Sequence, residues 1–169
     1  MSGRGKQSDY ARKPRRDCLY GEHLQDPYLA RGKLEEPTVC PDCGAVFHKG
    51  RWQWGPEAEG VHTHRCPACS RIHDHIPAGS LSLGGEFFRQ HKDEIMHLIQ
   101  HTEAKEKAAH PLERIMCIEE IGDGEQALIS FTGIHLVKRT GEALRHAYQG
   151  DFDFTYSERD DVVRAHWAR

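Results

Sequence analysis

Two Cys-x-x-Cys knuckles, Cys40-Pro-Asp-Cys43 and Cys66-Pro-Ala-Cys69, stand 22 residues apart in a segment that holds few aliphatic side chains. From Pro37 to about Pro77 the chain is made largely of Cys, His, Trp, Gly and Pro. Roughly forty residues of that kind cannot bury enough apolar surface to fold alone. Something other than a hydrophobic core must order them. A metal ion does so where two-residue spacers let tight turns present paired thiolates, and zinc takes four such ligands in a tetrahedron. The proline after each first cysteine presets the turn, and Gly44 tolerates the unusual angles that follow. The spacing predicts Zn2+ on Cys40, Cys43, Cys66 and Cys69 in a closed, structural site, since four thiolates leave no open position for water. Iron satisfies the same donor set. A thioredoxin-like redox pair would want one such motif at a helix start after a strand, which two motifs in a helix-poor segment fit badly.

The remaining cysteines of the six are Cys18 and Cys117, and Cys117, in an apolar strand, is expected to pack as a small hydrophobe. A disulfide framework would need an oxidising compartment. The start, Met-Ser-Gly-Arg-Gly-Lys, has no apolar stretch behind it, and no run approaches the roughly 18 to 20 apolar residues of a spanning helix. These features predict a cytoplasmic protein without a membrane segment. Residues 1 to 16 carry a balance of +5 against −3 for the whole chain, leaving −8 on residues 17 to 169. Such an arm either meets an anionic partner or stays solvated.

Past Gly84 the pattern becomes regular. Apolar positions every three or four residues predict an amphipathic helix over 85 to 108. Strand patterns at 113 to 121 and 125 to 131 flank Gly122-Asp123-Gly124, a hairpin signal. A second helix follows, with Ile134, Val137, Gly141, Leu144 and Tyr148 on one stripe, Thr132 placed to cap its start and Gly150 to end it. Gly141 on that stripe would let the helix approach a sheet closely. Residues 152 to 167 alternate like two strands joined by a turn, or like one bulged strand. The fold class is α+β: a basic arm and extended segment at 1–36, a four-cysteine zinc ribbon at 37–80, and a small α+β domain at 81–169. If residues 71 to 83 supply an earlier strand, the order becomes β-α-β-β-α-β, the ferredoxin-like arrangement.

The ribbon carries His48-Lys49-Gly50-Arg51-Trp52-Gln53-Trp54, with Trp52 and Trp54 on one face of an extended strand and Lys49 and Arg51 on the other. Cations bind phosphates and flat aromatics stack unpaired bases, so these four residues are candidates for nucleic-acid contact. The competing reading places the tryptophans over the metal site or between ribbon and domain. On the second helix Lys138, Arg139 and Arg145 form a basic face that would lie on RNA or be solvated. His62 and His64, and His73 and His75, alternate as if on strand faces, while His97 and His101 are one helical turn apart; none matches a metal-binding motif, and surface or stacking roles are expected for all.

The stretch from Cys40 to Trp54, preceded by Gly32-Lys33-Leu34 and followed by Arg65-Cys66-Pro-Ala-Cys69, resembles a family of small bacterial zinc-ribbon proteins of uncharacterised function. His110 to Arg114 and Thr132 to Gly150 extend that resemblance over about residues 27 to 167. More distantly, paired knuckles before an α+β domain resemble the amino-terminal part of the archaeal and eukaryotic adaptor that escorts the large ribosomal subunit. That likeness implies zinc and ribosomal RNA as ligands. The sequence reading is therefore a non-catalytic zinc protein that binds RNA or a ribonucleoprotein such as the ribosome. Its alternative is a protein-interaction adaptor using the ribbon aromatics. No phosphate loop, nucleophile elbow or open metal site points to an enzyme, and no small-molecule substrate is evident.

Overall fold

A computed structural model describes residues 27–28, 32–56, 62–157 and 162–169. The basic arm, Cys18 and most of the segment before Gly32 lie outside the described residues. The ribbon is a four-stranded sheet built from β1 (Thr38–Val39), β2 (Val46–His48), β3 (Arg51–Gln53) and β4 (His62–Thr63), in the order β3-β2-β1-β4. Helix α1 (Pro67–Asp74) then leads to β5 (Gly79–Gly84). So the second knuckle does open a helix, and His73 lies on it with His75 as its left-handed C-cap, correcting the expectation of alternating strand histidines. The reason is local. Pro67 at the first helical position has its φ already set, and the Cys66 sulfur accepts the Cys69 amide as a cap.

The second unit continues with α2 (Glu86–Gln90), α3 (Lys92–Ala109), the hairpin β6 (Ile115–Ile121) and β7 (Gln126–Phe131), α4 (Ile134–Tyr148), β8 (Asp151–Ser157) and β9 (Val162–Ala168). The expected long helix is thus broken at His91, whose ring stacks on Phe87 at 4.2 Å. The sheet order is β6-β7-β5-β9-β8, with β5 antiparallel to β7 but parallel to β9. The first three strands take the split arrangement of a ferredoxin-like sheet. The last two differ: the strand after α4 goes to the outer edge, and β9 returns between it and β5. Of the two readings open for 152 to 167, two strands are formed, β8 and β9, not one bulged strand, and the additional strand makes the sheet mixed.

Burial alternates along β5, β7 and β9, so one sheet face is covered and the other is not. Helices α3 and α4 cover it through Ile95, Ile99, Leu136, Val137 and Leu144, which close on Leu81, Ile129, Phe131 and Trp167 in one core. Gly141 is where α4 meets β8: a Cβ there would fall well inside contact distance of the Phe152 ring. Cys117 does not pack inside. It is exposed on β6, an edge strand whose register slips between Ile115 and Cys117 and turns that position toward the uncovered face. Among the described residues no helix is long and apolar enough to cross a membrane.

Candidate metal centre and the cleft beside it

The four knuckle cysteines converge, with all four sulfurs within 4.8 Å of one another. Each turn is locally built for this. The first closes through Gly44 N–H to Cys40 O at 2.9 Å, with Gly44 at φ 76. The second is the start of α1. Arg65, just before Cys66, pairs with Asp42 of the first knuckle at 2.5 Å and ties the two turns together. The parallel pairing of β1 with β4 brings the second turn alongside the first.

Whether the set suits a cation can be judged from its own geometry. Thiolates bonded at about 2.3 Å to a tetrahedral ion lie about 3.8 Å apart. Cys43 and Cys66 sulfurs are 3.8 Å apart. Sulfur atoms also accept backbone hydrogen bonds, from Cys66 N–H to Cys40 at 3.3 Å and from Cys69 N–H to Cys66 at 3.4 Å, as anionic sulfur does. Burial, together with the neighbouring thiolates, pushes the Cys66 thiol up, and burial pushes Cys69 up to about 11. Cys43 moves the other way, to about 7: burial works against its thiolate, but the Ala45 amide and Arg114 outweigh it. Four sulfurs this close ionise together only beside concentrated positive charge, which a shared divalent ion supplies. The residues fit a closed four-thiolate metal centre. Among the described residues no other group of His, Cys, Asp and Glu converges this way.

The wall of the centre comes from the second unit. Arg114, just ahead of β6, is 8% exposed and sends Nη2–H to Cys43 Sγ at 3.1 Å and Nη1–H to Cys69 Sγ at 3.3 Å. Leu112 packs against the small core of Cys40, Ala45, Cys66, Ala68 and Cys69. Sequence reasoning missed Arg114; its only signal was a cation in an apolar strand pattern, which spacing cannot link to cysteines 45 and 71 positions away.

The predicted contact residues fall around this junction. Lys49 sits at the exposed β2–β3 turn with φ 53, its amide donating to Glu36 at 2.7 Å. Arg51 is exposed on the edge strand β3. Trp52 is half-buried against the cysteine core and edge-on to Phe47 at 5.6 Å. Trp54 donates its indole N–H to Lys107 O at 2.7 Å, so it joins ribbon to helix α3. A cleft of about 670 Å³ opens here, lined from the ribbon by Phe47, Arg51, Trp52 and His64 and from the second unit by His110, Glu113 and His135. A second groove of about 520 Å³ runs between α3 and α4, past Lys105, Arg139, Arg145 and His146. Glu106 joins the two: it takes His135 at 3.3 Å from the cleft and Arg139 at 3.2 Å in the groove. Lys138 is exposed on α4 outside the groove.

Glu113 supplies what Thr132 was expected to. Its carboxylate accepts the Leu136 amide at 2.8 Å and caps α4, while the Thr132 hydroxyl donates to Leu112 O at 2.6 Å. Thr132 therefore joins the hairpin and does not cap, because Gly133 intervenes as the N-cap residue. Burial pushes the Glu113 carboxyl upward, against the Leu136 hydrogen bond and nearby histidines. The molecule so defined is an α+β protein with a four-cysteine metal-binding ribbon. No family model, curated protein or solved structure matches the chain.

Proposed function

We propose that the chain is a non-catalytic zinc protein that binds single-stranded RNA, free or within a ribonucleoprotein such as the ribosome. Zinc is favoured because four thiolates in a closed tetrahedron are its commonest structural set. When bound, it would hold both knuckles through Cys40, Cys43, Cys66 and Cys69 and supply the charge that lets the thiols ionise. The RNA reading rests on one observation: the cleft carries Arg51 and Trp52, the groove carries Arg145, and the Glu106 carboxylate links the two linings by pairing with His135 of the cleft and Arg139 of the groove. Along α4 alone, His135 to Arg145 spans roughly 15 Å at the helical rise. Arg139 shares its charge with Glu106 and Glu142. Among the described residues no acid pairs with Arg51, Lys138 or Arg145, which leaves these cations for phosphates. Trp52 also lines the cleft, and an aromatic ring there is the kind of group on which an unpaired base stacks.

The adaptor alternative draws on the same aromatics, but Trp54 spends its polar end on Lys107 and Trp52 leans on the cysteine core. A test titrates a labelled short single-stranded RNA against the full chain at several salt concentrations. Binding that falls with salt, and whose log–log slope drops by about 0.7 for each of Arg51→Ala and Arg145→Ala, supports the reading. Binding absent at low salt, or indifferent to both substitutions, refutes it. Salt-tolerant capture of a protein, lost in Trp52→Ala, would establish the adaptor instead.

A further inference from the structure

The junction between ribbon and second unit turns on one buried cation. Arg114 reaches three of the four sulfurs, Cys43 at 3.1 Å, Cys69 at 3.3 Å and Cys66 at 3.9 Å. It is fixed from its own side as well: Nε–H donates to Pro111 O at 2.7 Å, its amide donates to Thr132 Oγ1 at 2.9 Å, and the Thr132 amide donates to its carbonyl at 2.9 Å. The guanidinium is thus a fork held rigidly by the hairpin and aimed at the thiolates. Further contacts at the junction are the Trp54 indole N–H to Lys107 O, the Arg114 guanidinium over the Trp54 ring at 5.9 Å, and the Leu112 side chain on the cysteine core.

Four thiolates on one divalent ion leave the centre at a net charge of −2, and a low-dielectric wall makes any nearby counter-charge strongly attractive. Without those anions Arg114 would be a buried cation with no counter-charge among the described residues, held only by Pro111 O and the Trp54 ring, which proteins do not tolerate well. We infer that Arg114 is the outer-shell counter-ion of the metal centre, and that this pairing makes metal occupancy the clamp that docks the ribbon on the α+β unit. The cleft is lined by both units, so it would be assembled only while the centre is loaded. Reciprocity follows: docking must strengthen metal binding by the factor by which metal strengthens docking. This rests on the metal reading of the four cysteines and needs nothing from the RNA reading.

The test uses the full chain. Zinc affinity is measured by competition with a chromophoric chelator, and amide exchange is followed in loaded and stripped protein, for wild type, Arg114→Met and Arg114→Lys. Stripping wild type should raise exchange across residues 107 to 115 while β5, β7 and β9 keep their protection. Arg114→Met should weaken zinc binding roughly tenfold to a hundredfold, as loss of an outer-shell partner does, and show the raised exchange even with zinc saturating. Arg114→Lys keeps the charge without the fork and should fall between. Wild-type affinity in Arg114→Met, or unchanged exchange at 107 to 115 on stripping wild type, overturns the inference. Should Arg114→Met lose protection in the sheet itself, Arg114→Lys and stripped wild type decide in its place. A wild-type chain that takes up no zinc fails the metal reading and this inference with it, whereas zinc bound without the exchange change fails the inference alone.

Discussion

Two glycines, Gly141 within α4 and Gly133 at its N-cap, each make room for a distant side chain, and each gives a measurable consequence. Gly141 exists to admit Phe152, since a methyl there would overlap the ring. Gly141→Ala ought to gain about 1 kcal/mol from helix propensity, yet overpacking costs of about 1–3 kcal/mol run against it. The expected outcome is net destabilisation in denaturant melts, reversed in a Gly141→Ala, Phe152→Leu double variant that restores the space. Gly133 makes room for the Glu113 carboxylate, and a methyl there would displace that flexible side chain from the Leu136 amide. Glu113→Ala and Gly133→Ala should each cost on the order of 1 kcal/mol, the worth of a helix cap. Since both lose the same hydrogen bond, the double variant should cost clearly less than their sum, and simple additivity in the cycle would show that the cap is not the shared element.

At the level of elements, α3 and α4 are held together by a polar centre as well as by the core. Glu106 is only 9% exposed, and burial alone would disfavour its charge; the Arg139 hydrogen bond and charge, with His135, outweigh that and hold its carboxyl below the ordinary range. A carboxylate whose folded pKa is depressed adds stability above its unfolded pKa, and that stability is lost as pH falls through the folded value. Wild type should therefore exceed Glu106→Gln in unfolding midpoint near neutrality, and the gap should close on acidification below the ordinary glutamate range. A gap independent of pH would mean packing, not charge, is what Glu106 contributes. The elements themselves were legible in the sequence because they follow local periods: the hairpin, the α4 stripe, both terminal strands and the paired knuckles. What was hidden depends on distant partners. The first helix breaks at His91, which stacks on Phe87 while Phe87 itself is held by Arg169 at the far end of the sequence, Cys117 is turned outward by a register slip, and the β9 insertion beside β5 is a choice of strand order that periodicity does not encode. Arg114 and Glu113 belong to the same class, since each acts on residues more than twenty positions away.

The whole molecule has two cores of very different kinds. In the second unit fourteen buried side chains, among them Trp167, Phe88 and Phe131, form a conventional apolar interior. In the ribbon the buried cluster is Cys40, Ala45, Cys66, Ala68 and Cys69, with Thr38 and Val46 buried in its strands, too little apolar area to offset chain entropy without a bound ion. Stability should therefore divide on metal removal. The three tryptophans report the two units separately, because Trp52 and Trp54 belong to the ribbon side and Trp167 is fully buried in the other core. In variants that retain a single tryptophan, chelation should shift Trp52 emission to that of a solvated indole before any denaturant is added. Trp167 should keep a buried emission and a cooperative denaturant transition, with a lower midpoint because the docked ribbon no longer contributes. If chelation instead abolishes the Trp167 transition, the two cores form one cooperative unit and the ribbon is part of what folds the sheet. If Trp52 does not respond, the cysteine core stands without its ion, held by the packing of Trp52 and Leu112 and by the Arg114 hydrogen bonds alone.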